Sequence, residues 1–194
     1  MQYPLFINFK KIALTAKFTV VDANGNIIWY IKQKLFKLKE DIKVYSSKDQ
    51  TNLLFSIKAD RILDFSANYS FLDPNNIEFG SIKRKGARSL WRAHYIITTD
   101  GGQELTLTED SVMVRFLDGV FSGIPLIGCC SGLVFNPSYT VKRADETPLM
   151  CAKKTPSMFE SKFKVEKLAE LNEREELQVL LGIMMMMILE RARG

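Results

Sequence analysis

Near its carboxyl end the chain carries a stretch that has no polar face. Leu177, Val179, Leu180, Leu181, Ile183, Met184, Met185, Met186, Met187, Ile188 and Leu189 sit at every angle around a helical axis, interrupted only by Gln178 and Gly182. A surface helix shows one apolar stripe, so a helix that is apolar all round must be enclosed by protein or by lipid. This core is about 13 residues, roughly 20 Å at about 1.5 Å per residue, whereas a membrane span takes about 20 residues. Enclosure by the rest of the chain is therefore expected, with Leu177, Leu180, Leu181, Met184, Met185, Met187 and Ile188 buried.

The preceding residues must supply the enclosure, and they read as short strands separated by turns. Ile12, Leu14, Ala16, Phe18 and Val20 alternate with Ala13, Thr15, Lys17 and Thr19, the period of a strand with one buried face. Asp22-Ala23-Asn24-Gly25-Asn26 follows, where Asn and Gly tolerate the positive φ of a tight hairpin. Ile27 to Gln33, Lys34 to Leu38, Ile42 to Tyr45, Leu53 to Lys58, Ser70 to Leu72, Ile77 to Ile82 and Leu90 to Thr98 are further strand candidates. Glu104 to Thr108, Val112 to Phe116, Tyr139 to Lys142, Leu149 to Lys153 and Ser161 to Val165 complete the series. Short strands at such spacing suggest a sandwich or a barrel.

The helix is expected to start near Asn172, an N-cap residue with Glu175 in the capping-box position. Glu173, Glu175 and Glu176 crowd its first turn and Arg191 and Arg193 its last, the order the macrodipole favours. Charged ends and a dry middle fit a helix threaded through a closed barrel. A strand of about six residues also spans about 20 Å, matching the dry length. Eight strands leave room only for side chains, so roughly eleven to thirteen are needed around a helix about 10 Å wide. The predicted fold is mainly β: a closed antiparallel barrel around a hydrophobic C-terminal helix, one domain over residues 1–194 with strands in 1–165 and the helix at about 173–192.

Strands first, then a late capped helix led in by Phe159-Glu160-Ser161-Lys162-Phe163-Lys164-Val165, resembles the tubby C-terminal-like superfamily. Within it the chain is most similar to LURP-one-related and phospholipid-scramblase-like proteins, whose early Asp-x-x-Gly-Asn hairpin matches Asp22, Gly25 and Asn26. The resemblance implies a twelve-stranded barrel around a buried helix.

The net charge of +5 is concentrated in the first hundred residues. Two clusters supply most of it: Lys32, Lys34, Lys37, Lys39 and Lys43, then Lys83, Arg84, Lys85, Arg88 and Arg92. Such clusters attract anionic lipid or nucleic acid, or lie as solvated strand faces. Because the helix occupies the lumen, binding is expected on the outer surface, to anionic phospholipid or to a protein partner. No small-molecule substrate is evident. A membrane-associated, scramblase-like protein anchored by Gly119 to Phe135 or by the helix is the first alternative. A nucleic-acid binder using Lys83, Arg84, Lys85, Arg88 and Arg92 beside Trp91 ranks last.

Gly119 to Phe135 is seventeen residues without a charge, but Pro125 and four glycines weaken any helix there. A connection or plug across one barrel mouth is its leading reading. Cys129 and Cys130 are adjacent while Cys151 is remote, an unpatterned odd set that suggests a reducing compartment and inert thiols. His94 alternates with Ile96 and Arg92 and has no sequence partner. The N-terminus lacks a signal-peptide pattern. No nucleophile elbow, phosphate-cradling loop or paired-His site occurs, so no catalytic residue, metal or cofactor is assigned. The expected protein is non-enzymatic, cytoplasmic and, where it meets lipid, peripheral to the membrane.

Overall fold

A computed structural model describes residues 1–12, 15–34, 42–61, 67–86, 93–110, 137–155 and 161–193. In it the alternating segments close into an antiparallel barrel in which each strand bonds to its sequence neighbours and the last returns to the first. The strands are β1 (Leu5–Ile12), β2 (Thr15–Val21), β3 (Ile27–Lys34), β4 (Ile42–Tyr45), β5 (Leu53–Ala59), β6 (Asn68–Leu72), β7 (Glu78–Arg84), β8 (His94–Thr99), β9 (Glu104–Glu109), β10 (Ser138–Lys142), β11 (Pro148–Thr155) and β12 (Ser161–Lys167). Helix α1 (Glu173–Arg193) follows. The twelve-stranded barrel with a C-terminal helix is the expected architecture.

Several boundaries differ from the sequence reading, most of β1 lying outside every strand candidate, and two of the differences are informative. The run Ile12 to Val20 is not one strand: Ile12 stands opposite Thr15, and β1 precedes the reversal. Both arms of a hairpin carry apolar residues at alternate positions, so periodicity alone does not locate a reversal that lacks a Gly or Asn marker. The second difference is β3, which runs unbroken through Lys34, while residues 35–38 of the expected next strand lie outside the described residues. So do Val112 to Phe116 and Gly119 to Phe135.

Four of the hairpins share one turn. The Asp22 amide donates to the Asn26 carbonyl and the Gly25 amide to the Asp22 carbonyl, each at 3.0 Å. The same pair of bonds recurs from Asp73, Thr99 and Arg143. The fourth residue of each turn is left-handed: Gly25 at φ 85°, Asn76 at 62°, Gly102 at 76° and Glu146 at 65°. At Asp22 the side chain adds to the turn, accepting from the Asn24 and Asn26 amides at 2.9 and 2.8 Å. These donors, with the Asn26 side chain foremost, hold the Asp22 carboxyl below its usual range.

The inward faces of the strands and the helix share one apolar core, with the closest approach of α1 at β7 and β8. Leu5, Ile7, Val20, Ile31, Phe71, Ile82, Tyr95, Ile97, Leu105, Leu107, Val141, Met150 and Val165 are fully buried, as is α1 from Val179 to Met186, Gly182 included. Leu180, Leu181, Met184, Met185, Met187 and Ile188 are buried as expected, while Leu177 is only partly buried where it packs against the core. Among the described residues, no helix is long and apolar enough to cross a membrane.

Gly182 sets how closely helix and wall approach. A Cβ there would overlap Ile97 Cδ1 and lie 2.7 Å from its Cγ1. The N-terminal end is clamped by polar contacts. Asn172 Oδ1 accepts from the Glu175 amide at 2.8 Å, the expected cap. The Glu175 carboxylate does not close the capping box; it takes two bonds from Arg143, at 2.9 and 3.0 Å. Glu176 accepts from the Tyr3 hydroxyl at 3.1 Å and from Lys167 at 3.0 Å. Gln178, buried inside the barrel, donates to the Phe79 carbonyl and to Asp100 Oδ1, and Arg174 pairs with the other oxygen of Asp100.

Gly182→Ala gains about 1 kcal/mol of helix propensity but overpacks Ile97, a cost of about 1–3 kcal/mol. Urea unfolding should show a net loss of stability. Adding Ile97→Val, which removes the Cδ1 methyl, should restore part of it.

Candidate anion-binding face

Strand register, rather than sequence proximity, assembles the strongest concentration of charge. Alternation puts Phe9, Phe18, Val20, Trp29 and Ile31 inside, so Asn8, Lys10, Lys17, Thr19, Tyr30 and Lys32 project outward from β1, β2 and β3. Lys10 stands directly opposite Lys17, and Lys17 directly opposite Lys32. One row along, Lys162, Asn8, Thr19 and Tyr30 are aligned in the same way. Neighbouring strands lie about 4.8 Å apart, so three ammonium-bearing stems start within about 10 Å.

Cross-strand pairs contribute on the scale of roughly 0.2–1 kcal/mol, and like charges directly opposite one another oppose folding by similar amounts. Among the described residues no carboxylate lies within 4 Å of the Lys17, Lys32, Lys48 or Lys162 ammonium. The adjoining wall differs, because Glu166 pairs with Lys164 at 2.7 Å and Lys153 at 3.8 Å. A groove of about 550 Å³ runs over the lysine rows, with Lys10, Lys17, Lys48 and Lys162 around it and Asn8, Thr19 and Tyr30 supplying hydrogen-bond donors. Ammonium groups beside amide and hydroxyl donors form a surface suited to phosphate or carboxylate oxygens.

The structure redistributes the sequence-predicted residues. Lys32 lies in this face, and Lys34 follows it on β3 opposite Thr15. Lys37 and Lys39 lie outside the described residues, as do Arg88, Trp91 and Arg92. Lys83 and Lys85 are exposed on and beside β7, across the barrel from β2. Arg84 corrects the second cluster. It is only 9 % exposed, because alternation turns it inward with Ile82, and its guanidinium meets Glu190 of α1 at 3.4 Å and lies 5.6 Å from the centre of the Tyr95 ring. The Tyr95 hydroxyl donates to the same Glu190 at 2.6 Å. Glu190 was not singled out in the sequence; a lone carboxylate next to an apolar run was its signal.

His94 shares the outer face of β8 with Ile96, as expected, and its Nε2 has no hydrogen-bond partner among the described residues. Burial and the nearby Lys85 hold its pKa below the usual histidine value. Cys151 is buried, which pushes its thiol pKa up; Cys129 and Cys130 lie outside the described residues. Among the described residues no group of three or more His, Cys, Asp or Glu side chains could hold a metal. A half-open cavity of about 490 Å³ lies beside Met186, Met187 and Glu190 near the C-terminal end of α1.

Lys17→Glu turns two like-charge pairs into opposite-charge pairs. It should raise the urea midpoint at low salt by about 1 kcal/mol in stability, and the gain should shrink at about 1 M salt, where the Debye length is about 3 Å. No protein-family model, curated protein or solved structure matches the chain.

Proposed function

We propose that the chain is a non-enzymatic binding protein of the tubby-like, LURP-one-related or scramblase-like kind, which rests its β1–β3 lysine face on an anionic membrane surface. The observation that carries this reading is the row Lys10, Lys17 and Lys32 in direct register, with no described carboxylate beside Lys17 or Lys32. The facing Lys17 and Lys32 charges oppose folding in the free protein and are relieved when anionic headgroups lie over them. Attachment of this kind is peripheral. It does not require a membrane-spanning helix, and α1 is enclosed by the barrel wall. The residue pattern that resembles the tubby-like superfamily supports the same reading. Recognition of nucleic acid by the second cluster is less well supported, since the Arg84 charge is held inside by Glu190.

Co-sedimentation with phosphatidylserine-containing vesicles should be strong at low salt and lost at high salt, and weak throughout with neutral phosphatidylcholine vesicles. Each lysine near an anionic surface contributes about 1 kcal/mol, so Lys17→Glu with Lys32→Glu should weaken binding by about tenfold or more. Lys83→Glu with Lys85→Glu should leave most of it. Salt-insensitive sedimentation, or equal loss from both pairs of variants, removes the assignment to this face.

A further inference from the structure

The cavity beside the end of α1 is built from the inner faces of five consecutive wall strands. In barrel order β2, β1, β12, β11 and β10 contribute Phe18, Phe9, Phe163, Lys154 and Tyr139, and the helix contributes Met186 and Met187. Its size falls within the roughly 300–1,000 Å³ of ligand pockets. Aromatic rings and two methionines make much of the wall apolar and adaptable, since a thioether side chain conforms to irregular shapes, while Lys154, Ser161 and Glu190 supply polar groups.

Lys154 is the anomaly in this wall. Register places it on the inner face: it stands opposite Phe163, which stands opposite Ile7, and Ala152 two residues earlier is fully buried against the core. A lysine at such a position ordinarily meets a carboxylate. Among the described residues, none lies within 4 Å of the Lys154 ammonium. Among the described residues the acid lining the cavity is Glu190, and its charge is engaged by Arg84 at 3.4 Å and by the Tyr95 hydroxyl at 2.6 Å.

A half-open chamber of this size, mainly apolar and with Lys154 on its wall, is complementary to a molecule with one anionic head and one apolar chain. We propose that the cavity binds a long-chain fatty carboxylate, with its head on the Lys154 ammonium and its chain against Phe9, Phe18, Phe163, Met186 and Met187. The site is inside the barrel and separate from the outer lysine face, so either assignment can fail without the other.

Titration of the full chain with palmitate, followed by displacement of a dansylated fatty acid below the micellar range, tests the proposal. Saturable one-to-one binding is expected, with methyl palmitate weaker by about tenfold, the loss of one charge-assisted contact. Lys154→Glu should weaken palmitate by at least as much. Lys154→Met, which keeps an apolar stem and is safe for folding, should weaken palmitate while leaving methyl palmitate unchanged. Lys17→Glu should alter neither. Absence of saturable displacement, equal affinity for acid and ester, or sensitivity to Lys17→Glu with indifference to both Lys154 variants would overturn the proposal.

Discussion

Helix α1 and the barrel wall are mutually dependent through one interaction, the burial of an apolar helix surface against an apolar lumen. Left in water, α1 would expose side chains at every angle; left empty, the wall would expose Phe71, Tyr95, Ile97 and Leu107 to its own interior. At about 25 cal/mol per Å² of apolar area removed from water, the two surfaces together outweigh any single polar contact in the molecule. The remaining features adjust this packing. Gly182 lets the helix axis approach β8, Gln178 satisfies the Phe79 carbonyl, and the Arg143, Lys167 and Arg174 pairs hold the helix entrance in place.

The architecture was legible because the helix could not be a surface element and because most turns carry residues with a mechanical role. Asp22 to Asn26 announces a hairpin through Gly25, and Asn172 announces the helix start. What escaped the sequence is what depends on register. Lys10 and Lys17 are unremarkable where they occur in the chain; the structure places them beside Lys32 by aligning three strands, a relation that composition does not contain. Arg84 shows the converse. Three consecutive basic residues looked like one patch, yet a strand sends its odd and even members to opposite faces, and the middle one became the internal partner of Glu190.

The polar groups fall into two populations with different consequences. At the entrance of α1 nearly every charge is matched: Glu175 with Arg143, Glu176 with Lys167 and Tyr3, Asp100 with Arg174 and Gln178. At Lys17 and Lys32 on the outer face of β2 and β3, and at Lys154 on the lumen wall, ammonium groups stand without described carboxylates. Matched charges near the helix entrance fix the plug in the barrel. Unmatched cations have electrostatic capacity to spare, and both functional readings draw on it.

The order of elements along the chain has a consequence for how the molecule is made. The helix inside the barrel emerges from the ribosome after all twelve strands, and the seam that closes the wall, β1 on β12, joins segments far apart in sequence. Until α1 is released, the strands have no filling for their apolar faces and must be kept from pairing with other chains. A premature stop within α1 would therefore leave a hollow wall rather than a slightly shorter protein.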